Sequence, residues 1–424
     1  MKPTLHTLLL SLTACVLLAP AGILAQDNGA APINIKKPWT RHTIDDSSRG
    51  ADGVRLADVN GDGLLDITTG WEEGGVTRVY VHPGCDKVKV RWPAVTVGET
   101  KSVEDAVFCD LDADGAVDVI SSCEGRTRSM FVHWAPKQWK RYLRPDAWQT
   151  EAIPVTRDKT AWMFALPMQI DGRGGPDLAV ASKGKDALVG WLQSPADPRD
   201  MAGWRLHTLY KAGWIMSLAP ADVDGDGDLD IVVSDRKGTN TGVLWLENPG
   251  PKNAEGKWTE HRIGASGRAV MFLDMADLDG DGRRDVIVAV KPDEIHWLRQ
   301  PSNPTDAWPG QIIKVTLPEG MGTAKGVRVG DINGDGQPDI VYSCEQATPP
   351  KRGLVWLGYR RSPTEKQWAV HDIGGPEGIK YDRIELLDID GDGDLDVLTC
   401  EERHNGTGIG VFWHENPFGG GRGG

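Results

Sequence analysis

The sequence predicts an all-β protein, a seven-bladed β-propeller with four-stranded antiparallel blades, on three observations. The pattern D-x-[DN]-x-D-G-x-x-D occurs six times, starting at Asp58, Asp110, Asp222, Asp277, Asp331 and Asp388. A worn copy, QIDGRGGPD, starts at Gln169, and successive starts lie 52 to 59 residues apart. Each repeat carries four short strand signals bounded by Gly, Pro and Asn, and no segment holds a helical period. Seven such units stacked in a circle bury a continuous core that no single unit could bury alone.

The elements follow one order in every repeat. A Trp-led segment comes first, headed by Trp39, Trp92, Trp139, Trp204, Trp258, Trp308 and Trp368. A short apolar stretch then runs into the Asp loop, as in SLAPADVDGDGDLD. A β-branched run such as Asp230-Ile231-Val232-Val233 follows, and then a strand such as Val243-Leu244-Trp245-Leu246, closed by Asn248-Pro249-Gly250. The last Asp loop is followed by a third strand, Val411 to His414, but by no Trp-led fourth. The segment Trp39 to Ile44 stands alone at the front, so it is expected to complete blade seven and leave no open edge.

Composition narrows the function classes. The chain has 424 residues, 25% charged, with Lys+Arg 47 against Asp+Glu 61 and a net charge of −14. That balance argues against a nucleic-acid binder, which needs a basic footprint. Lys2 followed by the apolar run Leu8 to Leu18 and the small residue Ala25 reads as a signal peptide over 1–25, implying a secreted, periplasmic or cell-surface protein. Leu12-Thr13-Ala14-Cys15 also fits a lipoprotein box, but the apolar run continues past Cys15, so the signal peptide is preferred. Residues 26–36 are read as a linker, 37–417 as one propeller and 418–424 as a disordered Gly-rich tail. The five cysteines after the leader have no regular spacing and form neither a disulfide framework nor a CxxC site.

The six loops carry a donor set for calcium, which takes six to eight hard oxygen ligands. Positions 1, 3, 5 and 9 supply side chains. These are Asp58, Asn60, Asp62 and Asp66 in blade one, and Asp110, Asp112, Asp114 and Asp118 in blade two. Blade four offers Asp222, Asp224, Asp226 and Asp230, and blade five Asp277, Asp279, Asp281 and Asp285. Blade six offers Asp331, Asn333, Asp335 and Asp339, and blade seven Asp388, Asp390, Asp392 and Asp396. Gly at position 6 permits the sharp turn, and six divalent ions would offset most of the negative charge. About six structural Ca2+ ions are expected; the worn loop, with Gln169 and Arg173 at ligand positions, is expected to take none.

With these loops in register, the chain resembles the FG-GAP/VCBS repeat family, whose blades carry such loops, as in the integrin α-subunit head. The resemblance covers residues 37 to 417. It implies that the Asp loop joins the first and second strands at one face of the disc. The turn after the second strand, and the start of the first, then lie at the opposite face.

Two columns at that opposite face break the repeat. The sixth residue after the last loop Asp is Glu72, Glu124, Lys183, Arg236, Lys291, Glu345 and Glu402 in blades one to seven. Acids therefore occupy adjacent blades six, seven, one and two, and bases occupy three to five. Six residues before each loop lie Asp52, Glu104, Met163, Met216, Met271, Lys325 and Asp382, with Asp105, Tyr381 and Arg383 adjoining. Four tryptophans fall outside the structural columns: Trp71, Trp148, Trp162 and Trp214. They are read as a platform for sugar rings, with Trp148 in an insertion at 144–160 that could lid the channel. The histidines His42, His207, His261 and His371 recur in the Trp-led segments and are read as structural; His404 breaks that pattern.

Three functions fit. The first is a secreted protein binding an anionic carbohydrate at the channel mouth. The second is a carbohydrate lyase or dehydratase acting by β-elimination there, with Tyr381, His404 and Arg383 as catalytic candidates and an additional divalent metal among the mouth carboxylates. The third is an adhesion or protein-interaction module. An enzyme of the second kind predicts Glu72, Glu124, Glu402, Tyr381 and a base converging in one deep pocket.

Overall fold

The computed structural model describes residues 37–419; the leader, the linker, Cys15 and residues 420–424 lie outside that range. Seven antiparallel sheets of four strands follow one another along the chain. The first strands, Ala51–Ala57, Val103–Cys109, Ala161–Met168, Ile215–Ala221, Val270–Ala276, Thr323–Gly330 and Tyr381–Leu387, contact their neighbours in unbroken succession around a central channel. Blade seven closes as expected. The strand Thr40–Asp45 pairs with Gly410–Glu415, setting His42 opposite Trp413.

The second strands form the core of each wedge because both their faces are covered. Asp285–Val290, reading DVIVAV, is buried at every residue. Such continuous apolar runs differ from the alternating pattern of a sheet with one wet face. The third-strand tryptophans Trp134, Trp191, Trp245, Trp297 and Trp413 are almost fully buried between blades. The recurrent histidines stack on this column. His207 lies 4.5 Å from Trp191, His261 4.3 Å from Trp245 and His371 4.2 Å from Trp356, all ring to ring.

Each Asp loop is built by its own carboxylates. Asp58 accepts the amides of Gly61 and Gly63 at 2.7 and 2.9 Å, and Asp222, Asp277 and Asp388 repeat the arrangement. Gly61 and Gly63 both have positive φ, which this double turn requires. The last loop Asp has a second task. Asp66 accepts one amide from within the loop (Val59, 2.8 Å) and one from the end of the third strand (His82, 2.8 Å). It thus fastens loop to sheet. Asp177 of the worn loop does the same with Ile170 and Ser194, so this bond does not depend on the other ligand positions.

Blade two departs from the sequence assignment. Its outer strand is Gln149–Ala152, so Trp148, not Trp139, heads the fourth strand. The insertion is 136–147, at the Asp-loop face, where the Tyr142 hydroxyl donates to the Val117 carbonyl. Trp148 donates its Nε1–H to the Tyr142 carbonyl at 2.8 Å and is buried, while Trp139 is exposed. An insertion displaced the Trp-led strand, and a second Trp at the expected spacing masked the shift. Residues 153–160 do cross the opposite face, but buried Thr156 ties them down, and there is no free lid.

Candidate functional site at the channel mouth

The two columns singled out in the sequence converge at the face opposite the Asp loops. Two local devices place them. In blades one, two, four, five and seven the residue after the second strand donates its amide to the segment leading into the first strand, as Glu72 N–H does to Gly50 and Arg236 N–H to Trp214. In addition, the register of every first strand slips beside the residue six before the loop. A bulge adds a residue and re-aims the side chains next to it. Repeated in all seven blades, it directs that column into the channel mouth.

The acidic and basic arcs meet in ion pairs at their seams. Lys183 of blade three reaches Glu104 at 2.8 Å and also Glu124, both of blade two. Lys291 of blade five pairs with Glu345 of blade six, which Arg236 approaches only to 4.0 Å. Lys325 lies 2.9 Å from Asp382, and Lys380, which the column reading missed, pairs with Glu402. Burial pushes Glu104 up to about 8, against the pull of Lys183, and pushes Glu402 up to about 7, against Lys380 and Lys325. Burial also raises Asp52 well above the usual carboxylate range, helped by Asp382, Glu402 and Glu104. For Asp382, burial is outweighed by Lys325, a hydrogen bond with Asp52 and Lys380 acting together, and its pKa falls.

Trp214 is the aromatic that reaches this site. It is half-buried, with Lys183 Nζ 4.8 Å, the Arg236 guanidinium 4.7 Å and Lys237 Nζ 4.2 Å from its ring centroid. Buried Asp235 fixes this group by accepting the amides of Trp214 (2.8 Å) and Gly213 (3.0 Å). The other three tryptophans are not at the surface of the mouth. Trp71 and Trp162 are fully buried, donating to the Tyr80 hydroxyl and the Thr156 carbonyl, and Trp148 belongs to the Asp-loop face. Trp71 instead helps seal the ring: the Tyr80 hydroxyl and Arg78 both reach Asp45 of the closing strand, at 3.0 and 2.6 Å.

Of the three catalytic candidates, Tyr381 and His404 both meet the turn at Glu377 and Gly378, whereas Arg383 bonds elsewhere. Tyr381 is buried, its hydroxyl donates to the Glu377 carbonyl at 2.6 Å, and burial raises its pKa further. His404 sits in a short turn and accepts the Gly378 amide through Nδ1. Arg383 belongs to a deeper girdle of charges that the sequence reading did not find. There Arg55 grips Asp105 through two bonds of 2.9 and 2.8 Å, Arg328 bridges Asp274 and Glu385, and Arg383 donates to Glu385 at 2.9 Å. Burial lowers Arg383 to about 10, aided by Arg55 and Arg328. Asp105 is therefore buried in the girdle against Arg55 instead of lining the mouth. Four girdle members, Arg55, Asp274, Arg328 and Glu385, form a column three residues before their loops that was readable from the same repeat alignment, while Asp105 and Arg383 lie five before theirs.

At the opposite face, the Asp loops fit a hard divalent cation. Asp110, Asp112 and Asp118 bring carboxylate oxygens within 4.8 Å of one another, as do Asp222, Asp224 and Asp230, and Asp277, Asp279 and Asp281. Asp390 Oδ1 of blade seven is buried without a hydrogen-bond partner. The worn loop differs: Arg173 Nε lies 3.0 Å from Asp171 Oδ2, and Gln193 also donates to that oxygen. In the worn loop the guanidinium belongs to a ligand position itself, whereas cations that meet the other loops, such as Arg199 on Asp112, Arg283 on Asp281 and Lys89 on Asp390, come from outside the side-chain ligand positions.

Comparison with known proteins agrees on the fold. The family model described as FG-GAP-like repeat matches residues 169–233 and 277–342. No curated protein matches the chain. Among solved structures, BBS1N, crystallised in complex with ARL6DN and soaked with lead, is similar at 12% identity and a TM-score of 0.51, over 90% of this chain and 98% of that one. YCF48 from Cyanidioschyzon merolae is similar at 9% identity and 0.52, over 90% and 99%. Sqt1 from Saccharomyces cerevisiae is similar at 11% identity and 0.50, over 90% and 98%. Among the described residues no helix is long and apolar enough to cross a membrane. With seven closed blades and the repeat match in hand, the chain is a β-propeller of the FG-GAP/VCBS repeat type.

Proposed function

We propose that this propeller is a binding module whose ligand is an anionic carbohydrate held at the channel mouth. The observation that carries the reading is Trp214 with three cations around its ring, of which Arg236 has only a distant carboxylate partner. A flat aromatic offers a face to a sugar ring, and a guanidinium beside it offers two donors to a carboxylate or sulfate. Tyr381 is buried with its hydroxyl spent on the Glu377 carbonyl, and Arg383 is spent on Glu385, which favours binding over β-elimination. Binding of a uronate oligosaccharide, followed by calorimetry, is expected to weaken at least tenfold in Arg236→Gln and in Trp214→Ala. Equal affinity of both variants and the native chain would remove the site.

Calcium in the six complete loops belongs to the same proposal, with blade three held by Arg173 instead. An extracytoplasmic setting, expected from the leader, supplies calcium at the concentrations such modules need. Each filled loop would add on the order of 1–2 kcal/mol. Chelation with EDTA is expected to lower the melting temperature by several degrees, and added calcium, but not sodium, to restore it. An unchanged melting curve would count against bound calcium.

A second reading, docking of a protein, draws on the blade-two insertion, where Trp139 and Leu143 are exposed beside a groove of 330 Å³ that also reaches Asp58. Retained uronate affinity in a Trp139→Ser, Leu143→Ser variant would keep the two faces functionally separate.

A further inference from the structure

The acidic arc holds a group of carboxylates that ion pairing does not satisfy. Asp52 and Asp382, from the first strands of blades one and seven, and Glu402, after the second strand of blade seven, each bring an oxygen within 4.8 Å of the other two. All three are buried, at 6%, 1% and 3% exposure. Two ammonium groups reach them: Lys325 lies 2.9 Å from Asp382 Oδ2, and Lys380 pairs with Glu402 Oε2. Among the described residues Asp52 has no basic partner. On its other side Asp52 forms a second such triangle with Glu72 and Glu104, of which only Glu104 is paired, to Lys183. With Glu124, which shares Lys183 with Glu104, six carboxylates face three lysines, an excess that a divalent cation would largely offset.

An independent observation concerns a member of the same group. Glu402 Oε1 is buried and has no hydrogen-bond partner, although its other oxygen is engaged. A buried carboxylate oxygen left without a partner is costly, and such atoms are rare in native proteins unless a water or an ion meets them. We propose that Asp52, Asp382 and Glu402 bind a divalent cation at the channel mouth, with Asp52 as the ligand shared between the two triangles. An all-carboxylate donor set selects a hard ion: calcium, magnesium or manganese. The site is on the face opposite the Asp loops and is separate from them, and it stands without the carbohydrate reading. A proton shared between Asp52 and Asp382 is the competing way to satisfy the group.

The probe is manganese(II) alone, used in two ways on the full chain. After equilibrium dialysis, Glu402→Gln and Asp52→Asn are each expected to retain one ion fewer than the native chain, while the loop variant Asp222→Asn loses its ion independently of them. Crystals soaked in manganese(II) are expected to show anomalous density among the three carboxylates. An unchanged ion count in Glu402→Gln, or native crystals with no density there, would overturn the proposal and leave the shared proton. Glu402→Gln preserves side-chain size, and the native crystal decides the question even if Asp52→Asn does not fold.

Discussion

Single residues in this propeller are often fixed by a neighbour that no local pattern announces. His133 is fully buried, with Ser121 Oγ and Thr150 Oγ1 each 2.9 Å from its ring nitrogens. A Cβ on Gly98 would sit 2.2 Å from that ring, which is why the position is glycine. Burial pushes His133 down to about 3, whereas an unfolded histidine titrates near 6.5. Between these values the unfolded chain binds more protons than the native one. Stability is therefore complete above about pH 6.5 and is lost as pH falls toward 3, at up to about 1.4 kcal/mol per pH unit for one such group. Urea denaturation at a series of pH values should show a shallower acid dependence in His133→Gln than in the native chain. Identical slopes would mean that His133 is not held neutral. The residue scale was also where sequence reasoning fell short. Trp71 and Trp162 lay outside the repeat columns, but being off-column does not make a tryptophan exposed; both had local hydrogen-bond partners inside the core.

At the scale of the element, the Asp loop does two things at once. Its first carboxylates shape the turn, and its last joins the turn to the sheet. The worn loop separates the two roles, because Asp177 keeps its bonds to Ile170 and Ser194 while Gln169 and Arg173 replace acids. Asp177→Asn, which turns one acceptor into a donor facing an amide, should cost about 1–3 kcal/mol, equally in calcium and in EDTA. A cost that appeared only in calcium would show a metal role for this blade. That second role was legible: an Asp surviving at position 9 in a loop that had lost the acids at positions 1 and 5 is a sign of a bond to protein. The two mouth columns were legible for a related reason. Strand register repeats from blade to blade, so a fixed offset from the loop maps to a fixed place in space. Lys380 and Lys237 lie two residues before Asp382 and one after Arg236, so they were reachable by the same offsets but fell just outside the two columns chosen. The insertion 136–147 defeated the same offset rule in blade two.

The whole molecule depends on a pairing between its two ends. Fold class, blade number and the closing strand were all readable, because a repeat with one fourth strand missing at the back and one spare at the front has a single circular solution. Removing residues 37–45 would expose the edge Gly410–Glu415 and delete Asp45, the partner of Arg78 and Tyr80. The truncated chain should lose its cooperative melting transition or melt well below the native chain by calorimetry; an unaltered transition would mean that blade seven is stable with three strands.

That pairing also sets a timetable. A chain emerging from the ribosome presents Thr40–Asp45 first and Gly410–Glu415 last, so six blades can assemble while the opening segment still waits. Contacts that span most of a sequence form late and slowly. Until Gly410–Glu415 has been made, the nascent polypeptide is a crescent with two raw flanks, each able to recruit a strand from a stranger, and its safety rests on how quickly that strand arrives.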